Sequence, residues 1–106
     1  MKITLNNNTL SEVRMPIEEK VSGIQPLLSY PDSQFDYKLF ENQIIIFTPA
    51  FLMVELLNKN ILGEKNAPIQ VSIDDKLIGE FIFDEITYPE RRNGVHYCVN
   101  LKLKAK

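Results

Sequence analysis

Ile69-Gln70-Val71-Ser72-Ile73-Asp74-Asp75-Lys76-Leu77-Ile78-Gly79-Glu80-Phe81-Ile82-Phe83 decides how the chain is built. Ile69, Val71 and Ile73 alternate with Gln70, Ser72 and Asp74, the period of a strand that turns one face to a core. Asp74, Asp75 and Lys76 supply turn chemistry, and Leu77 to Thr87 reads as a longer strand rich in Ile and Phe. After the loop Tyr88-Pro89-Glu90-Arg91-Arg92-Asn93-Gly94, Val95 to Leu103 alternates strictly again. The three runs predict an antiparallel meander.

Its register follows from which pairing gathers the apolar residues. Ile73 opposite Leu77, Ile69 opposite Phe81, Phe81 opposite Leu101 and Phe83 opposite Val99 put nine apolar side chains on one face: Ile69, Val71, Ile73, Leu77, Phe81, Phe83, Val99, Leu101 and Leu103. That register also sets Glu80 across from Lys102, a favourable cross-strand couple, whereas a one-residue slip would oppose Glu80 to Leu101. The other face then carries Ile78, Ile82, Ile86, His96 and Cys98 among Glu80, Asp84, Asn100 and Lys102. It is too apolar for a plain solvated surface. Either the N-terminal third folds over it, giving a two-layer or barrel-like domain, or part of it stays open as a strip for a partner.

Toward the N-terminus, Thr48-Pro49 marks a helix start. A Thr hydroxyl can cap orphan amides, and Pro at the first helical position has no amide to leave unpaired. The helix, from about Pro49 to Lys59, carries Phe51, Leu52, Met53, Val54, Leu56 and Leu57, with Glu55 and Lys59 as its solvent edge and Gly63 past its end. A helix this apolar is expected to be buried. Before it, Phe35 to Leu39 alternates and Ile44-Ile45-Ile46-Phe47 is a β-branched run, which together read as a hairpin with its second strand buried on both faces. The first third is punctuated by Pro16, Gly23, Pro26 and Pro31. Short strands are expected there at Lys2 to Leu5 and Glu12 to Ile17.

These elements describe one α+β domain over residues 1–106, mainly antiparallel sheet with a C-terminal three-stranded meander and one buried helix. The 106 residues, 44% apolar, suffice for a single core, and a net charge of −2 excludes the composition of a disordered chain. One cysteine cannot close an intramolecular disulfide or build a four-thiolate zinc site, as expected in a reducing compartment. The start shows no secretion signal, and the apolar block Ala50 to Leu57 is far short of the ~20 residues that span a bilayer, so a cytoplasmic location and no membrane partner are expected. Twelve Ile and nine Asn suggest a low-GC bacterial or phage genome.

No motif brings obvious chemistry. There is no phosphate-cradling glycine loop, dinucleotide fingerprint or zinc-protease helix. His96 and Cys98 point the same way from one strand, as a nucleophile and its base would, but neither a second His nor a second Cys accompanies them. Asp84 and Glu85 are adjacent on a strand and so face opposite ways. No catalytic set, cofactor or metal is therefore expected. Charge is unevenly spread: the net is −5 over residues 51–90 and +5 over 91–106. An acidic surface of Glu55, Glu64, Asp74, Asp75, Glu80 and Asp84 could mask a basic partner.

The loop from Tyr88 to Gly94 is longer than a hairpin requires, and Tyr and Arg dominate interface hot spots. The expected partner-binding residues are Tyr88, Glu90, Arg91, Arg92, Asn93 and His96, with Ile82 and Ile86 on the sheet beside them. The functional expectation is a small protein that binds another protein or protein complex, as an inhibitor, immunity or adaptor protein. The alternative is a nucleic-acid-binding module using Arg91, Arg92 and the lysines at 102, 104 and 106. A homodimer through an exposed edge strand is compatible with both.

Overall fold

The computed structural model describes residues 1–14, 29–88 and 98–106. In them the chain is α+β: seven antiparallel strands in one open sheet, with one α-helix on one face. The strands are β1 (Ile3–Leu5), β2 (Asn8–Thr9), β3 (Asp36–Leu39), β4 (Gln43–Pro49), β5 (Ile69–Ile73), β6 (Lys76–Thr87) and β7 (Cys98–Ala105), and the helix is α1 (Ala50–Asn58). The order across the sheet is β2-β1-β5-β6-β7-β4-β3. The expected meander is its centre. The hairpin β3–β4 joins beside β7, and β1–β2 extends the sheet beyond β5. The strand expected at Glu12 to Ile17 is not formed in its described part, where Leu10–Glu12 is a 3-10 turn; residues 15–17 lie outside the described residues.

Two β-bulges in β6 account for most of the departures from the expected register. Asp74 and Asp75 both have positive φ (50° and 67°) and make a two-residue turn, so Ile73 faces Lys76 rather than Leu77. A bulge opposite Val71 and Ser72 then leaves Ile78 unpaired and returns the strands to the expected Ile69–Phe81 pair. Leu77 therefore leaves the core face and is exposed, while Ile78 packs against the core.

A second bulge at Asp84 acts in the same way. Phe83 faces Leu103, but Glu85 faces Lys102 and Ile86 faces Leu101. The expected Phe81–Leu101 and Phe83–Val99 pairs are not made: β7 is displaced along β6, and Phe81 faces Ala105. Slips by an even number of residues leave the same side chains inside, so alternation alone could not choose among them. The choice is made by rows that run through β4. Phe83, Leu103 and Ile44 form one row; Ile86, Leu101 and Ile46 form the next.

The core lies between the sheet and α1. Ile3, Leu5, Ile44, Ile46, Ile69, Val71, Leu101 and Leu103 are fully buried from the sheet, and Leu52, Met53 and Leu56 are buried from the helix; Leu10, Phe35, Ile61 and Leu62 close the rim. On the other face of β4, Ile45 and Phe47 are only half-buried, so that strand is not covered on both sides as expected. Each fully buried Leu or Ile is worth roughly 1.5–3 kcal/mol relative to exposure.

The start of α1 also differs from expectation. β4 goes on pairing with β7 through Thr48 opposite Val99 and Pro49 opposite Cys98, so Thr48 stays extended and its side chain points into the core without capping the helix. Pro49 is the N-cap and Ala50 the first helical residue. The helix ends before Gly63. Asn60 takes positive φ (53°), its amide donates to the Leu57 carbonyl at 3.1 Å, and the Ile61 amide donates to the Leu56 carbonyl at 3.0 Å. That is a Schellman ending, with Ile61 and Leu56 both buried.

Candidate functional site

Of the expected partner-binding residues, Glu90, Arg91, Arg92, Asn93 and His96 lie outside the described residues. Tyr88 follows the last residue of β6 and is exposed. It sits at the end of the sheet where Pro49 pairs with Cys98 and α1 begins. Ile82 and Ile86, expected on one face, are on opposite faces: Ile82 lies opposite Lys104 away from the core, whereas the bulge at Asp84 turns Ile86 inward. With Ile78 also turned inward, the apolar second face of the meander does not form among the described residues. Cys98, expected on that face, is exposed.

An exposed apolar row lies on α1 instead. Leu52, Met53 and Leu56 face the sheet, but Phe51, Val54 and Leu57 are 67%, 53% and 53% exposed. The helix expected to be buried is thus covered on one side only. Only Glu55 and Asn58 of its nine residues are polar, and a helix lying on a single sheet can bury only one stripe. The three exposed side chains follow each other at intervals of three, forming one slanting row along the helix. At its C-terminal end the row runs into a groove of about 440 Å³ lined by Leu57, Leu62, Gly63, Phe83, Asp84 and Lys104. Alternation placed Phe83 in the core; it is instead 37% exposed at this groove. The signal available in the sequence was the helix itself, whose apolar residues outnumber the positions one sheet face can cover.

Charge is arranged differently from the expected acidic surface. Lys2 Nζ lies 2.8 Å from Asp75 Oδ1, and the Lys2 amide donates to Asp74 Oδ1 at 2.7 Å. Lys106 pairs with Glu80 at 3.4 Å and Lys102 with Glu85 at 3.3 Å. The expected Glu80–Lys102 couple is absent because of the shifted register. Asp75 and Glu80 are thus paired with lysines away from α1 and the Asp74 carboxylate accepts from the Lys2 backbone amide, while Glu64 and Asp84 remain exposed at the groove, among the described residues without an ion pair. The same pairs occupy two of the three C-terminal lysines proposed to meet phosphates.

A second, more polar hollow of about 370 Å³ lies between Asn7, Thr9, Glu12, Arg14 and Lys59. Lys59 Nζ there donates to the Arg14 carbonyl at 2.6 Å. Among the described residues, no three His, Cys, Asp or Glu side chains gather closely enough to hold a metal ion, and no helix is long and apolar enough to cross a membrane.

The chain matches no family model, no curated protein and no solved structure. Its own surface is therefore the ground for a functional assignment.

Proposed function

We propose that the chain acts by binding another protein, as an inhibitor, immunity or adaptor protein of bacterial or phage origin working in the cytoplasm. The observation that carries this reading is the exposed row Phe51, Val54 and Leu57 on α1 and the groove it leads into. Exposed apolar side chains gathered in a row beside a groove and rimmed by polar residues are the usual mark of an interaction surface. We read the domain as two layers, sheet and helix, with the outer side of the helix layer as the docking face.

A partner suited to this face offers an apolar side chain to the groove between Leu57, Leu62 and Phe83, and a basic group near Glu64 and Asp84. Tyr88, at the sheet end from which α1 departs, extends the face with an aromatic of the kind that anchors interfaces. An exposed Cys98 with no second cysteine suits a reducing compartment.

A photo-crosslinking phenylalanine analogue at position 51 tests this reading. It should capture a host protein, and the purified pair should bind at least about tenfold more weakly when Val54→Gln and Leu57→Gln are combined. A captured protein whose affinity those two substitutions leave unchanged would refute the reading.

A further inference from the structure

Among the described residues, the open sheet has two edges of unequal kind. β2 spans only Asn8 and Thr9, too short to template pairing, whereas β3 offers four residues from Asp36 to Leu39. β3 has neither Pro nor a bulge, two of the usual devices that blunt an edge. Leu39 and the following Phe40 are about half exposed.

The orientation of its backbone follows from one hydrogen bond. The Phe40 amide donates to the Gln43 carbonyl at 2.7 Å. Antiparallel pairing alternates, so Lys38 and Asp36 also direct their backbone groups toward β4, and Tyr37 and Leu39 direct theirs to the free edge. Consistent with this, the Tyr37 amide is met by Asp36 Oδ1 at 2.8 Å and not by β4.

We infer that this edge pairs with β3 of a second copy of the chain, antiparallel about a two-fold axis at Tyr37. Symmetric pairing that keeps edge-facing groups opposite each other allows axes at Asp36, Tyr37, Lys38 or Leu39, and the last sets Lys38 and Tyr37 opposite Phe40 and Glu41, beyond the end of β3. An axis at Asp36 sets two carboxylates face to face, and one at Lys38 sets two ammonium groups face to face. The axis at Tyr37 alone places Asp36 of each copy opposite Lys38 of the other. It also sets Phe35 opposite Leu39 on the core side, giving the exposed Leu39 an apolar neighbour. Tyr37 amides and carbonyls exchange hydrogen bonds across the axis, and each Leu39 amide reaches the Phe35 carbonyl of the other copy. The Phe35 amide keeps its own bond to the Asp32 carbonyl at 3.1 Å. The Asp36 carboxylate exchanges the Tyr37 amide for the facing lysine.

The contact is well below the ~1,600 Å² of a standard interface, so the association is reversible and depends on concentration. It goes beyond the proposed partner binding and uses none of the α1 residues.

Sedimentation equilibrium of the full chain from tens of micromolar to about one millimolar tests it. The weight-average mass should rise toward twice the monomer mass. Asp36→Lys alone and Lys38→Asp alone should each weaken association at least tenfold, and the double exchange should restore it to within about threefold. Leu39→Pro removes an edge-facing amide while leaving the β4-facing bonds, and should abolish the dimer in a chain that still melts cooperatively. Tyr37 amide exchange should slow as concentration rises. A chain that stays monomeric throughout overturns the inference, as does a double exchange that fails to restore a dimer lost in both single variants. A dimer dissolved by Val54→Gln but indifferent to the β3 variants overturns it too, without touching the proposed partner binding.

Discussion

The backbone amides of Asn6 and Gln70 are bound reciprocally: the Asn6 amide donates to the Gln70 carbonyl at 2.9 Å, and the Gln70 amide donates to Asn6 Oδ1 at 2.9 Å. Asn6 Nδ2 also donates to the Ile61 carbonyl at 3.2 Å. One turn residue thereby ties β1 to the start of β5 and to the segment that follows α1.

Asn6→Gly isolates that side chain, because Asn6 already has positive φ (48°) and glycine accepts it without strain. Two side-chain hydrogen bonds disappear, and the expected loss is about 2 kcal/mol in urea unfolding. Asn6→Asp, which keeps the acceptor for Gln70 but not the donor for Ile61, should lose less. Equal stability of wild type and Asn6→Gly would show that the tie carries no energy.

Thr48 is 1% exposed, and among the described residues its hydroxyl has no hydrogen-bond partner. Thr48→Val replaces the hydroxyl by a methyl group of similar shape in a strand position, where valine is well suited. The expected change is a gain of about 1 kcal/mol, seen as a higher urea midpoint at unchanged slope. A helix cap at Thr48 would give the opposite sign.

Lys2 is held protonated to higher pH than the ordinary lysine value of 10.5, first by its hydrogen bond to Asp75 and then by the charge of that carboxylate. A group whose pKa is raised by folding contributes stability that is fully present below its unfolded pKa and is lost as pH rises through the folded one. The stability difference between wild type and Lys2→Met should therefore be constant around neutral pH and shrink above 10.5. The pair is exposed, so added salt should reduce the difference as well. A difference that persists undiminished at high pH would assign it to packing of the lysine stem.

Cys98 is exposed at the end of β7. A disulfide reagent should modify the one thiol of each native chain without denaturant, and Cys98→Ser should leave stability within about 0.5 kcal/mol. A thiol that reacts only after unfolding would show that Cys98 is covered.

The sequence by itself determined the local elements. Alternation marked β5 and β7, a run rich in Ile and Phe marked β6, the β-branched run marked β4, and Thr48-Pro49 placed the break between strand and helix to within a residue or two. Each depends on side-chain period or on proline chemistry, which act over a few residues. The tertiary structure decided everything that depends on what lies across from what. Register shifts that preserve alternation looked alike until β4 lined up Ile44 and Ile46 with Leu103 and Leu101. The bulges at Ile78 and Asp84 reversed the faces of the residues beyond them and dispersed the apolar second face on which Ile82 and Ile86 were expected together. The candidate site shifted for the same reason. Composition showed that α1 carries more apolar side chains than one stripe holds, but only its seat on a single open sheet left Phe51, Val54 and Leu57 facing outward.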